Sequence, residues 1–312
     1  MKKFLIKYFL FLCLVFILLN LWLFGLSGEN DFIKPIIDKH RLLENSPSPR
    51  IIFIGGSGIN LGINSQIVKD KLNLNPINMG LFAQFGLRYM LNEVKPNIRK
   101  NDVIVIIPEY HHFFYFFNGW RGLIELIYVY PKSLHYLTSY KQFIVILKRF
   151  PAFFEDKVKT IQEYFEKRII KLLDKEPISN DLYNEYCDYI GHLKSNKTFN
   201  VSEQRVFNTS EMSFEDEAIN ELNNFYSFAN KIGAKAFFCY PTIPKKHFLE
   251  SKRFIMIVSQ KLSENLNMPI INTPQSATLP IKYFYNTVYH LTDRGITIRT
   301  NKLISRLKIV LN

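Results

Sequence analysis

Apolar residues are laid down along this chain in three rhythms, and each predicts a different kind of element. The first is continuous. Residues 8–26 carry no charge, and Asn20 is their only strongly polar member. That length suits the ~20 residues with which a helix crosses the hydrocarbon core of a bilayer. Tyr8 and Trp22 fit the two interfaces. Lys2, Lys3 and Lys7 precede the span, while mixed charges (Glu29, Asp31, Lys34, Asp38, Lys39) follow it. By the positive-inside rule this predicts a cytoplasmic N-terminus and an extracytoplasmic remainder. A cleaved signal peptide is the alternative, since Gly25-Leu26-Ser27-Gly28 is a small-residue patch. The apolar run exceeds the about 7–15 residues of such peptides, which favours a retained anchor. Residues 113–130 are apolar too, but Arg121 and Glu125 would lie near mid-membrane at a high energetic cost. They read as a buried or interfacial helix.

The second rhythm is short and unalternating: Ile51-Ile52-Phe53-Ile54, Pro76-Ile77-Asn78-Met79, Val103-Ile104-Val105-Ile106-Ile107, Ala236-Phe237-Phe238-Cys239-Tyr240 and Pro269-Ile270-Ile271. Such β-branched runs are what parallel strands covered on both faces look like. The third rhythm is helical. Ser65 can cap a helix over residues 67–72. Leu87, Met90, Leu91 and Val94 share a face, and so do Ala218, Leu222, Phe225, Ala229 and Ile232 between Ser213 and Gly233. A last helix follows Thr292 and Asp293. Strand and helix alternate, which predicts a doubly wound, mostly parallel α/β sheet, preceded by one N-terminal transmembrane helix. The expected organisation is an anchor over residues 1–27, a juxtamembrane connector over 28–50 ending in Ser46-Pro47-Ser48-Pro49, and one α/β domain over 51–312. Residues 111–212 break the alternation and read as a helical insertion.

Composition narrows the chemistry. Lys and Arg number 40 against 27 Asp and Glu, a formal charge of +13, yet the basic residues are dispersed. That pattern is a lysine-rich surface and not a nucleic-acid footprint. Three cysteines, one inside the apolar run, make no disulfide framework. An exported domain is also separated from ATP, NADPH and DNA, and no cofactor is expected.

In an open α/β sheet, function sits at the carboxyl ends of the strands. Gly55-Gly56-Ser57-Gly58 follows the first strand and places Ser57 as a nucleophile is placed on a strand–turn–helix bend, or else forms an anion-binding turn. Asn78-Met79-Gly80 follows the second strand and offers an amide and a backbone N–H as oxyanion donors, or simply a turn. Glu109, Tyr110, His111 and His112 follow the third. Adjacent histidines point apart in a strand and lack partners at ligand spacing, so no metal site is expected. Asn286 and His290 precede the last helix, where a histidine can return to the first strand's end as general base.

Together these pieces resemble the SGNH hydrolase superfamily, most of all its membrane-anchored, cell-envelope branch, which includes proteins of teichoic-acid D-alanylation and polysaccharide O-acetylation. The resemblance rests on Gly56-Ser57, on Asn78 with Gly80, and on Tyr289-His290-Leu291 with Gly295; residues 111–212 lie outside it. It implies an SGNH or flavodoxin-like sheet, Ser57 as nucleophile, His290 as base, and an oxyanion hole from Asn78, Gly80 and the Ser57 N–H. The family's aspartate, three or four residues before the histidine, is replaced by Thr287 and Asn286, and Glu109 or Tyr110 ends the third strand where the family has an asparagine block. An amide can orient the imidazole but cannot stabilise the imidazolium as a carboxylate does. Two functions follow as expectations. One is an acyl-ester transferase or esterase acting on a surface glycan. The other is a catalytically degenerate scaffold that binds a glycan or a membrane protein.

Overall fold

The computed structural model describes residues 2–25, 33–171, 182–194, 200–201 and 213–311, with the side chains of 16–25, 157–158 and 160–171 outside that set. Four of the five apolar runs form one parallel sheet in the order β2-β1-β3-β4: β1 (Arg50–Gly55), β2 (Asn75–Asn78), β3 (Val103–Ile107) and β4 (Lys235–Phe238). Ile52 stands opposite Ile77 on one side and Ile104 on the other, and Ile104 opposite Ala236. The fifth run touches β4 through a single parallel bridge, Phe238 to Ile270. Pro269 lacks the N–H that would lengthen that ladder, and the Asn272 side chain instead bonds the backbone of Tyr240.

The helices are α1 (Lys2–Gly25), α2 (Ile36–Asn45), α3 (Ser57–Asn60), α4 (Ser65–Leu72), α5 (Leu87–Val94), α6 (Arg121–Val129), α7 (Tyr140–Lys171), α8 (Glu217–Ile232), α9 (Lys245–Glu250), α10 (Lys252–Asn265) and α11 (Asp293–Leu311). Successive strand residues point to opposite faces. Ile51, Phe53, Val103 and Val105 therefore pack against α4 and α11 through Val68, Leu303, Ile304 and Leu307. Ile52, Ile54, Ile104 and Ile106 share the other core with α2, α5, α8 and α10. Covering both faces is why these strands read as unbroken apolar runs.

Two helix starts differ from the sequence expectation. Asn64, not Ser65, caps α4, because the Asn64 side chain accepts the Ile67 N–H while Ser65 is drawn to Asp188. The helix expected from Ser213 begins at Glu217, with Asp216 at its N-cap. The 28–50 connector contains α2, whose Ile36, Lys39, His40 and Leu43 are buried in the domain. At the amino ends of β1 and β3, Arg50 forms a wholly buried bidentate pair with Asp102 and also donates to Leu43 and Asn97 carbonyls. This clamps α2 to the base of the sheet.

The apolar N-terminal segment is helical as α1. Among the described residues no helix is long and apolar enough to cross a membrane; the end of the expected anchor at 26–27, and the side chains from residue 16 onward within it, lie outside the described set. In the 111–212 insertion, α6 and α7 share a small core of Ile124, Tyr128 and Phe153. Farther along it, residues 183–192 return to the sheet.

Candidate active site

At the end of β1 the chain turns through glycines because no side chain fits there. A Cβ on Gly55 would lie 2.6 Å from the Ile107 carbonyl, and one on Gly56 2.8 Å from Glu109 Oε1 and 3.0 Å from the Ala83 Cα. Ser57 follows as the first residue of α3, nearly buried. Its hydroxyl donates to Glu109 Oε1 at 3.2 Å, and the Gly58 N–H donates to the same oxygen at 2.9 Å. Burial pushes the Glu109 carboxyl up, against the pull of the Gly58 and Ser57 hydrogen bonds and of the Arg299 charge. Arg299 itself donates to the carbonyls of Gly58 and Gly62. The Gly58 peptide thus stands between a carboxylate on its N–H side and a guanidinium on its oxygen side.

The residues after Glu109 pack around that site, the His111 ring edge-on to Tyr289 with centroids 6.0 Å apart. The Glu109 N–H donates to His112 Nδ1 at 2.9 Å, which leaves the His112 Nε2–H to donate to the Ala83 carbonyl at 2.9 Å. Burial holds this ring down at a pKa of about 4, so it is a neutral structural histidine. Tyr110, a candidate substrate-binding residue because it follows the third strand, is wholly buried among core residues, and burial raises its hydroxyl far above the usual tyrosine range. Its side chain follows the apolar face of β3 and not the strand's open end.

His290 sits in a tight hairpin closed by the Phe284–Leu291 bridge, by the Tyr285 N–H to the His290 carbonyl (2.9 Å), and by Thr287 Oγ1 accepting from the Tyr289 and His290 N–H groups. Its Nδ1 lies 2.7 Å from Asn286 Oδ1. An amide oxygen only accepts, so Nδ1 carries the proton and Nε2 is left as an acceptor. Burial, assisted by the neighbouring His192 ring, lowers the His290 pKa to about 4. The adjacent Tyr289 packs on the Ser57 turn: a Cβ on Gly58 would meet the Tyr289 Cβ at 3.3 Å. The two catalytic candidates are thereby brought to neighbouring elements, yet among the described residues no hydrogen bond joins Ser57 to His290.

Asn78 and Gly80 are engaged differently from the expectation. Asn78 Oδ1 accepts the Gly80 N–H at 2.9 Å, and Asn78 Nδ2 donates to Asp188 Oδ1 at 2.7 Å and to the Ile59 carbonyl at 3.4 Å. In this structure the donors expected for an oxyanion are bonded by the protein itself. They belong to a buried polar network that sequence reading missed. Asp188 also accepts from the Ser65 N–H, the Ser65 hydroxyl and Asn184 Nδ2, and Lys39 donates to the Asn78 and Cys187 carbonyls at 2.8 and 2.7 Å. Burial brings Lys39 down to about 8. His192 donates through Nε2 to the Leu291 carbonyl at 2.9 Å and stacks on Tyr189, bracing the His290 loop from outside. Apart from the carboxylate itself, no local feature of residues 182–192 distinguishes Asp188. Among the described residues no group of His, Cys, Asp or Glu side chains is arranged to hold a metal ion. No family model, curated protein or solved structure matches this chain.

Proposed function

We propose that the chain is a membrane-anchored, SGNH-like serine enzyme of the cell envelope that moves a small acyl group from an ester to a glycan hydroxyl or to water. The observation that carries this reading is the His290–Asn286 pair. It fixes the imidazole in the tautomer whose Nε2 can take a proton, on a hairpin packed against the Ser57 turn. In the reaction Ser57 Oγ, released from Glu109, attacks the acyl carbonyl carbon as its proton passes to His290 Nε2. The tetrahedral adduct collapses, the C–O bond to the leaving alcohol breaks, and His290 returns the proton to that oxygen. A glycan hydroxyl or water then repeats the sequence on the acyl-serine, with His290 again as base and acid. Asn286 orients the ring but supplies no negative charge to the imidazolium, so a slow enzyme is expected.

The second reading, a non-catalytic scaffold, draws support from Glu109, whose oxygen occupies both the Ser57 hydroxyl and the Gly58 N–H, and from the satisfied donors of Asn78 and Gly80. One set of variants separates the two. Ser57→Ala and His290→Ala should each abolish esterase or glycan acylation activity, and the double variant should be little worse than either, because members of one catalytic unit are grossly non-additive. Undiminished activity in Ser57→Ala would leave the scaffold.

A further inference from the structure

A cavity of about 400 Å³ lies between α11 and the segment that follows the fifth strand run. Its volume is in the range of small-ligand sites, about 300–1,000 Å³. The wall is apolar, with Ile107, Ile271 and Leu303 among its residues, and it carries three cations, Arg299, Lys302 and Arg306. Their spacing along α11 puts all three on one helical face. Among the described residues no Asp or Glu lines the cavity.

Arg299 is the informative member. It is 7% exposed, and both of its hydrogen bonds, to the Gly58 and Gly62 carbonyls, use Nη1 alone. Among the described residues, Nε and Nη2 have no hydrogen-bond partner. The residue itself lines the cavity. The other buried arginines are treated differently: Arg50 is paired with Asp102, and Arg88 with Glu217 and Glu221. Glu109 lies within the field of Arg299 but bonds the opposite side of the Gly58 peptide. A buried guanidinium without a paired carboxylate is costly, and its planar fork matches a carboxylate or phosphate. Lys302 donates to the Ser276 carbonyl at 3.3 Å, and Arg306 is an exposed member of the lining.

We infer that this cavity binds a small amphiphilic anion, a phosphate or carboxylate head on Arg299, Lys302 and Arg306 with a compact apolar body against Ile107, Ile271 and Leu303. Arg299 also holds the Gly58 carbonyl beside Ser57, so the test reads binding and does not depend on activity. Full-length protein in detergent is titrated calorimetrically with phenyl phosphate, with inorganic phosphate as the head-only probe and benzyl alcohol as the body-only probe. Phenyl phosphate should saturate one site, and each control should bind at least about tenfold more weakly. Lys302→Ala/Arg306→Ala should weaken phenyl phosphate about tenfold with an unchanged Tm, as expected for the loss of two partly exposed ion pairs. Arg299→Gln should abolish binding; should that variant fail to fold, the surface double variant carries the test alone. Ser57→Ala should bind as the unmodified protein does. Failure of phenyl phosphate to saturate, equal affinity for inorganic phosphate, or undiminished binding by the double variant would each overturn the inference.

Discussion

Replacing Asp188 by alanine should be among the most damaging single changes in this protein. The carboxylate is almost completely buried and accepts four hydrogen bonds: from the Ser65 N–H (2.9 Å), the Ser65 hydroxyl (2.8 Å), Asn78 Nδ2 (2.7 Å) and Asn184 Nδ2 (3.2 Å). It is also an anion close enough to stabilise the charge of the wholly buried Lys39. A buried donor left without an acceptor costs about 1–3 kcal/mol, and breaking a buried charge pair about 3–5 kcal/mol. The side chains relax together, so these costs overlap, and the expected loss is about 3–5 kcal/mol. Guanidinium denaturation followed by tryptophan fluorescence measures it. Lys39→Met alone should also destabilise, but Asp188→Ala/Lys39→Met should lose less than the sum of the two, with a coupling of at least about 1 kcal/mol. A single-variant loss under about 1 kcal/mol, or strict additivity in the double variant, would refute the network's role.

Two further outcomes concern the site itself. Because the His290 pKa is held near 4 in the folded chain, its ring stays neutral and basic well below the usual histidine range, so kcat/KM should stay level from about pH 8 to about pH 5 and fall only beneath that; a fall centred near about pH 6.5 would show an unperturbed base. The same lowering, shared by His112, means the folded chain binds fewer protons than the unfolded one between about pH 4 and about pH 6.5, so stability should drop as pH falls through that window. Glu109→Gln keeps an oxygen for Ser57 and Gly58 but removes the buried carboxylate that holds the Ser57 hydroxyl. With Ser57 as nucleophile and His290 as base, esterase activity measured on a chromogenic ester should rise; a loss would move the base role from His290 to Glu109.

The strands were legible because both faces of the sheet are covered, leaving Ile51-Ile52-Phe53-Ile54 and Val103-Ile104-Val105-Ile106-Ile107 no polar alternation to blur them. The hairpin carrying Asn286 and His290 was legible as a pair of residue types four apart. What the residues around them do was not. Asn78 and Gly80 are good donors on paper, but Asp188, 110 residues away, takes the Asn78 amide, and Asn78 takes the Gly80 N–H. Such a competition has no local signature. Ser65 shows the same limit: a good capping residue in isolation, it is recruited by a carboxylate 123 residues on, and Asn64 takes the cap. For Tyr110 only the position after β3 was visible, not the direction its side chain takes into the core.

The seating of α2 bears on how far the domain can travel. Seven residues, 26–32, separate the end of α1 at Gly25 from Ile33, which is already buried in the core beside Ile36 and Leu43. At about 3.3–3.6 Å per residue, they reach at most about 25 Å. Beyond them there is no further slack, for Lys39 in the first turns of α2 is already bonded to the Asn78 carbonyl in the floor of the site. On the proposed reading, in which α1 lies in the bilayer, so short a reach would keep the Ser57 turn within a few nanometres of the lipid surface. An acyl acceptor for such an enzyme would then have to come to it there, as a lipid-linked or membrane-proximal chain.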